Sequence, residues 1–597
     1  MAQGIYFSTL KFQIRYPIVF SPDDTNTSCS AGDPLDVTRS IIDRDIARLE
    51  ETIRALKSRR NELSPISRLP AEILCNIFSL VEDNSIYSRR PESWTNFSQV
   101  SQHWRSSALG APELWTNIPL RYPRWAQEML IRSKMAKLTI RSDSSFESSN
   151  PKVIETVRSC LCEMKRVEKI DLTTLPGLML EEIFRDLPKS APQLHTLRIG
   201  SYSFRFVGTA FSIHEDFLDD TERLRHVQLI NCKIGWDSRL LTGLTRLTLE
   251  DSLKANSSII QFLQALQRMP ALTDLRLKDS IPDDSECPST YPAVDLPCLR
   301  ELRISSGVGA LTTVLRHITF PHSAILNLTC RENQSNQIDF SNFLSVLAAK
   351  FLSSLVIRCL SLKDLNTTHG LKFCLWTTAI IQDCFPSPLV PPQLELILTW
   401  PSSGPHNYVK ALTCGFDAMS LPSLTRLQIS TLDYIDSQTW VKTFGKLPLL
   451  ERVYVQSHAT QSFFEALVYK TKGAEKSKAA YRNVSFPKLR YIHVEGTNFD
   501  ETIPGSISVE KLLDYLMERC ERNAELQVLR LDDCYYISSD DVERLEEIVV
   551  DVIWDGVEQE VSTEYDSEED EYYDDDGDII GMGYDYDDFS SGSVESY

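Results

Sequence analysis

No two of the 14 cysteines in this 597-residue chain are separated by two residues. Cys160 and Cys162 have one residue between them and no histidine cluster beside them. That spacing excludes a zinc knuckle, and no metal or other cofactor is expected. The cysteines read as small apolar residues of a reduced, intracellular protein, cytoplasmic or nuclear or both. No run reaches the ~18 uncharged apolar residues that a spanning helix needs. The nearest approach, residues 371–400, is broken by Asp383, Pro386, Pro388, Pro391 and Pro392, so no membrane association is expected. There is no phosphate-binding loop, no Gly-x-Ser-x-Gly elbow and no His-Glu-x-x-His helix. The ten histidines have no clustered partners. The chain therefore reads as a non-catalytic protein. Basic charge is missing from residues 558–597, which hold sixteen Asp or Glu and no Lys or Arg. Most of the net charge of −21 sits there. The remainder is close to balance, which argues against a nucleic-acid binder.

Residues 1–37 begin with Lys11 and Arg15 and reach their first acid at Asp23. They lack the continuous apolar core of a secretory signal and read as a disordered leader. In residues 38–63, Ile42, Ile46, Leu49, Ile53, Leu56 and Leu63 recur in steps of four, three and seven. That is the seam of a short coiled-coil-like helix, with Thr38 placed to cap it. The seam has two readings: it pairs with a second copy, or it folds back on its own chain.

Residues 64–118 hold a second kind of helical unit. Pro70 opens a helix whose first turn carries Glu72, as the positive end of a helix favours. Ile73, Leu74, Ile77, Phe78 and Val81 then recur at helical spacing. After a polar gap at residues 83–93, Phe97, Val100 and Trp104 share a face. Such a unit cannot bury all its apolar surface internally, and its aliphatic and aromatic anchors suit a helix-docking interface. Leu69, Pro70, Ile73, Leu74, Ile77, Phe78, Val100, Ser101, Trp104 and Arg105 together resemble the F-box, the module that docks substrate receptors onto the Skp adaptor of cullin–RING ubiquitin ligases. The resemblance implies adaptor contact by Leu69, Pro70, Ile73, Leu74, Ile77, Phe78, Val100 and Trp104. The linker between Val81 and Phe97 is longer than in many members of that family, a departure that falls on the family's middle helix. The heptad helix before, and the sequence APELWTNI after, resemble F-box proteins common in mushroom-forming fungi.

Residues 122–550 repeat a phrase, P-x-L-x-x-L-x-[LIV]. Clear copies are PQLHTLRI (192–199), PALTDLRL (270–277), PCLRELRI (297–304), PSLTRLQI (422–429), PLLERVYV (448–455) and PKLRYIHV (487–494). ERLRHVQL (222–229) and ELQVLRL (525–531) lack the proline, and LSSLVI (352–357) and PQLELIL (392–398) are weaker. Amphipathic return helices are expected at 258–269, 341–351, 509–520 and 539–547. The phrase is similar to leucine-rich repeats, in which each unit contributes one strand and stability is a sum over neighbours. An asparagine of the regular repeat kind occurs only at Asn231. The fold class is therefore α/β: a small helical F-box-like domain, then an irregular leucine-rich-repeat solenoid, then an acidic disordered tail over residues 556–597.

In such an array, the residue between the paired leucines faces the concave surface. Those positions are Asp171, Arg198, Gln228, Thr248, Arg276, Arg303, Asn327, Val356, Gln428, Tyr454, His493 and Arg530. Arg198, Arg276, Arg303 and Arg530 are the candidate substrate contacts, suited to an acidic or phosphorylated segment. The competing reading is an ordinary solvated strand face. Functionally, the resemblance implies the substrate-recognition subunit of a Skp–cullin–F-box ligase, with a Skp-type adaptor, a cullin–RING ligase and an unidentified target protein as partners. The alternative is a ligase-independent repeat scaffold.

Overall fold

The structure is a computed structural model. It describes residues 34–85, 96–120, 122–142, 151–173, 175–201, 211–214, 217–252, 257–282, 291–332, 338–365, 369–378, 390–401, 404–419, 421–430, 435–456, 460–469, 484–500, 502 and 506–559. The leader over residues 1–33, most of the polar gap and the tail beyond residue 559 lie outside them. The chain divides into two compact units at Leu114 and Trp115.

In the first unit, α1 (Pro34–Glu62) leads through a single 3-10 turn (Pro65–Arg68) to α2 (Ala71–Ser85), and α3 (Gln102–Gly110) follows. Helix α1 begins at Pro34, before Thr38, so residues 34–37 are helical and not part of a disordered leader. Pro70 gives α2 its first carbonyl, which accepts from the N–H groups of Ile73 and Leu74, both at 3.1 Å. Helix α2 runs into the expected gap as far as Ser85. The Ser101 hydroxyl caps α3 by accepting from the Trp104 N–H at 3.1 Å, which satisfies one of the orphan donors of the first turn.

The second unit is built on one 17-stranded sheet. Its strands, in chain order, are β1 (Asn117–Pro119), β2 (Leu138–Arg141), β3 (Val167–Leu172), β4 (Thr196–Gly200), β5 (His226–Ile230), β6 (Arg246–Glu250), β7 (Asp274–Lys278), β8 (Glu301–Gly307), β9 (Ile325–Arg331), β10 (Cys359–Asp364), β11 (Gly370–Trp376), β12 (Leu394–Thr399), β13 (Arg426–Ser430), β14 (Arg452–Gln456), β15 (Tyr491–Glu495), β16 (Val528–Asp532) and β17 (Asp551–Trp554). The sheet starts before residue 122 and ends after residue 550, one strand beyond the expected span on each side. Helices at Ile259–Gln267, Ser341–Lys350, Val509–Glu521 and Ser539–Glu546 fall where the sequence places return segments.

Strands β1 to β9 pair in sequence and in parallel, as do β13 to β17. Between them the order inverts. Strand β12 lies beside β9, β10 lies beside β13, and β11 runs antiparallel to both of its neighbours. The chain skips two places to lay down β10, then doubles back twice. Gly370 opens β11, where a Cβ would lie 2.5 Å from the Leu398 carbonyl oxygen. Consequently the expected phrase at 352–357 is not a strand: residues 352–354 form a 3-10 turn, and Val356 is exposed outside the sheet.

Burial alternates along the strands. Leu197, Val227, Leu247, Leu275, Leu302 and Leu326 point into a core that runs from Ile118 to Val549. The side chains between them form an open face. A second recurrence closes many strands. Asn231, Asp251, Asp279, Gly496 and Asp533 each follow a strand with positive φ, a conformation that Asn, Asp and Gly tolerate best. The next residue is small and buried: Cys232, Ser252, Ser280, Thr497 or Cys534. Several bond the backbone, as Ser252 does by donating to the Leu229 carbonyl at 3.0 Å. The asparagine ladder that the sequence shows once is thus continued by aspartate and glycine.

Candidate functional site

The helical unit sorts the motif residues into two sets. Leu74 and Phe78 are fully buried. The Phe78 ring stacks on Phe97 with centroids 4.0 Å apart and lies 5.3 Å from Trp104, which is half-buried. These residues hold α2 against α3, and Leu69 is half-buried. The Cys75 thiol donates to the Ser107 carbonyl at 3.7 Å across the same seam. Ile73, Ile77 and Leu80 are left 45%, 37% and 63% exposed. They lie four and then three residues apart, so they form one stripe along α2. Val81, Val100, Ile66 and Pro70 are also exposed. The expected contact set is therefore divided by packing. Leu74 and Phe78 are consumed internally, while Pro70, Ile73, Ile77 and Val100 remain open. Leu80 on α2 and Ile66 in the 3-10 turn before it belong with the open set by their exposure.

In the sheet unit, Asp171, Arg198, Gln228, Thr248, Arg276, Arg303 and Asn327 form one continuous register row across β3 to β9. The row continues through Glu395, Cys374 and Ser361 to Gln428, Tyr454, His493 and Arg530. Glu395, Cys374 and Ser361 take the place expected for Val356. Between β5 and β9 the face holds a cleft of about 420 Å³, lined by Gln228, Thr248, Glu250, Arg276, Lys278 and Arg303 among others.

The four candidate arginines reach this face, but each has an acid beside it. Arg198 lies 3.5 Å from Asp171, and Arg276 lies 3.2 Å from Glu301. Arg303 pairs with the other oxygen of Glu301, and Arg530 lies 2.7 Å from Asp532. Burial tends to raise the Glu301 carboxyl, but the bonds and charge of Arg303 and Arg276 override it and hold it below the ordinary carboxylate range. Lys278–Glu250 at 3.6 Å and Lys372–Glu395 at 2.8 Å continue the pattern. The face is a lattice of alternating charge. At its far end His493 is buried, with Nε2 2.8 Å from Asp532 and the ring edge-on to Tyr454. Burial outweighs Asp532 and lowers the His493 pKa.

Burial raises the thiols of Cys160, Cys232, Cys374 and Cys534 to about 12. These cysteines hold their protons and act as packing. Cys75 is also raised, by burial and then by Glu113 and Glu72, which opposes a nucleophilic thiolate. Among the described residues no group of three or more His, Cys, Asp or Glu is placed to hold a metal ion. No helix among them is long and apolar enough to cross a membrane.

Residues 66–121 match the family model described as F-box-like. The chain therefore carries an F-box-like domain, and its helices are α2, α3 and the segments that flank them. No curated protein matches the chain.

Proposed function

We propose that this protein is the substrate-recruiting subunit of a Skp–cullin–F-box ubiquitin ligase. The observation that carries the reading is the exposed stripe Ile73–Ile77–Leu80 on an F-box-like domain whose Leu74 and Phe78 are already used in packing. Full burial of each such side chain stabilises by about 1.5–3 kcal/mol, enough for a few anchors to hold a partner. In this reading a Skp-type adaptor covers the stripe and links the chain to a cullin–RING ligase in the cytoplasm or nucleus. The chain itself supplies no catalytic group and works by holding its target near the transferred ubiquitin.

The sheet unit is, on this proposal, an irregular leucine-rich-repeat array whose open face binds the target protein. The repeated phrase on its strands, the return helices and the turn ladder support that reading. The cleft around Arg276 and Arg303 is its proposed contact region. Because Glu301 already engages both arginines, a target segment that brings its own carboxylate or phosphate must displace Glu301 or share the fork.

Co-purification tests the proposal. Full-length protein is expected to bring down a Skp-type adaptor and a cullin, and Ile73→Asp with Ile77→Asp is expected to lose both. Retention of the adaptor by that variant would refute the assignment. Separately, Arg276→Ala with Arg303→Ala is expected to keep the adaptor and lose target proteins. Unchanged target capture would move the contact region elsewhere on the face.

A further inference from the structure

We infer that α1 is an interaction surface for a second copy of this chain, and that the two copies of the helix run antiparallel. Helix α1 is 29 residues long, and every side chain from Leu35 to Lys57 is exposed. Ile42, Ile46, Leu49, Ile53 and Leu56 are each 49–63% exposed. Among the described residues of its own unit nothing covers the seam, so the fold-back alternative is not realised by them. Helices in proteins gain most of their stability from packing an apolar face, and the described residues leave this one unpacked. Ile46 and Ile53 alternate with Leu49 and Leu56 along one seam, the apolar repeat on which helices supercoil together.

Charge beside the seam selects the occupant and its direction. Asp43 and Asp45 flank the seam toward the amino end, Lys57 and Arg59 flank it toward the carboxyl end, and Glu50 lies near the middle. In an antiparallel pair with Ile46 against Leu56 and Leu49 against Ile53, Asp43 faces Lys57 and Asp45 faces Arg59. Symmetry repeats both contacts, against one Glu50–Glu50 repulsion. In a parallel pair Asp45 faces Glu50 twice, and neither acid meets a base. The helix is thus complementary to its own reversed copy. At 1.5 Å per residue, 29 residues span about 44 Å. Because α2 begins nine residues after Glu62, the two F-box-like domains would leave from opposite ends of that rod.

Light scattering and sedimentation equilibrium on the full-length chain test this. The wild type is expected at twice its 68.0 kDa mass. Asp43→Lys with Asp45→Lys is expected to weaken association at least tenfold, and so is Lys57→Asp with Arg59→Asp. Mixing the two variants is expected to restore dimers of wild-type strength, since each then meets its complement. All four sites are exposed and lie outside the F-box packing, so loss of folding does not confuse the result. A monomeric or trimeric wild type would overturn the inference. So would an Asp43→Lys, Asp45→Lys variant that associates as tightly as wild type or more tightly, because in a parallel pair the Asp45→Lys change sets an ammonium against Glu50. None of these readings depends on adaptor binding.

Discussion

His226 sits on β5 among like charges. Burial, then Arg198, Arg246 and His195, push its pKa down to about 4 from 6.5. Below pH 6.5 an unfolded chain takes up a proton that the folded chain refuses, so stability rises with pH between about 4 and 6.5 and falls on acidification through that window. The side chain is only partly buried, so solvent screening reduces the size of the effect. His226→Gln is expected to flatten the slope of urea midpoint against pH there; an unchanged slope would assign it to other groups. Arg519 presents a different case, a guanidinium 1% exposed. It donates to the Ser485 and Phe486 carbonyls at 2.9 and 2.8 Å. Burial lowers its pKa to about 10, still charged at neutral pH. Arg519→Met strands both carbonyls and should cost about 2–4 kcal/mol. A chemical-unfolding midpoint that does not move would contradict that role.

At the scale of elements, α2 presents two adjacent faces with opposite fates. Phe78→Ala removes the ring between Phe97 and Trp104 and should destabilise the helical unit by about 3–5 kcal/mol. Ile77→Asp, on the open face, should leave it folded. Differential scanning calorimetry would separate the two, and equal effects would refute the division. A helical period places both sets on one broad apolar surface, which is why the sequence offers Leu74, Phe78, Ile73 and Ile77 alike as contacts. The strands are legible wherever the phrase ends in two leucines one residue apart. The inversion at β10 to β12 is not, because the period of two reads the same in either strand direction. LSSLVI carries the apolar spacing but forms a turn, while CLSLKD just after it forms β10. The charge balance of the open face escapes the sequence for a related reason. The counter-ions Glu301 and Asp532 stand two residues from Arg303 and Arg530, on the neighbouring row of the same face.

For the whole molecule, the small unit offers apolar side chains and the large one offers a broad polar face with a charged cleft. These are different chemistries, as the proposed recruiting role requires. The central claim is that the α2 stripe is the adaptor contact. Calorimetric titration of a Skp-type adaptor into the full-length chain tests it most directly. The wild type should bind, and Ile73→Asp with Ile77→Asp should bind at least 100-fold more weakly, a difference of about 2.7 kcal/mol, with the unfolding of the sheet unit unchanged. Equal affinity for the two proteins, or no binding by the wild type, would contradict the account.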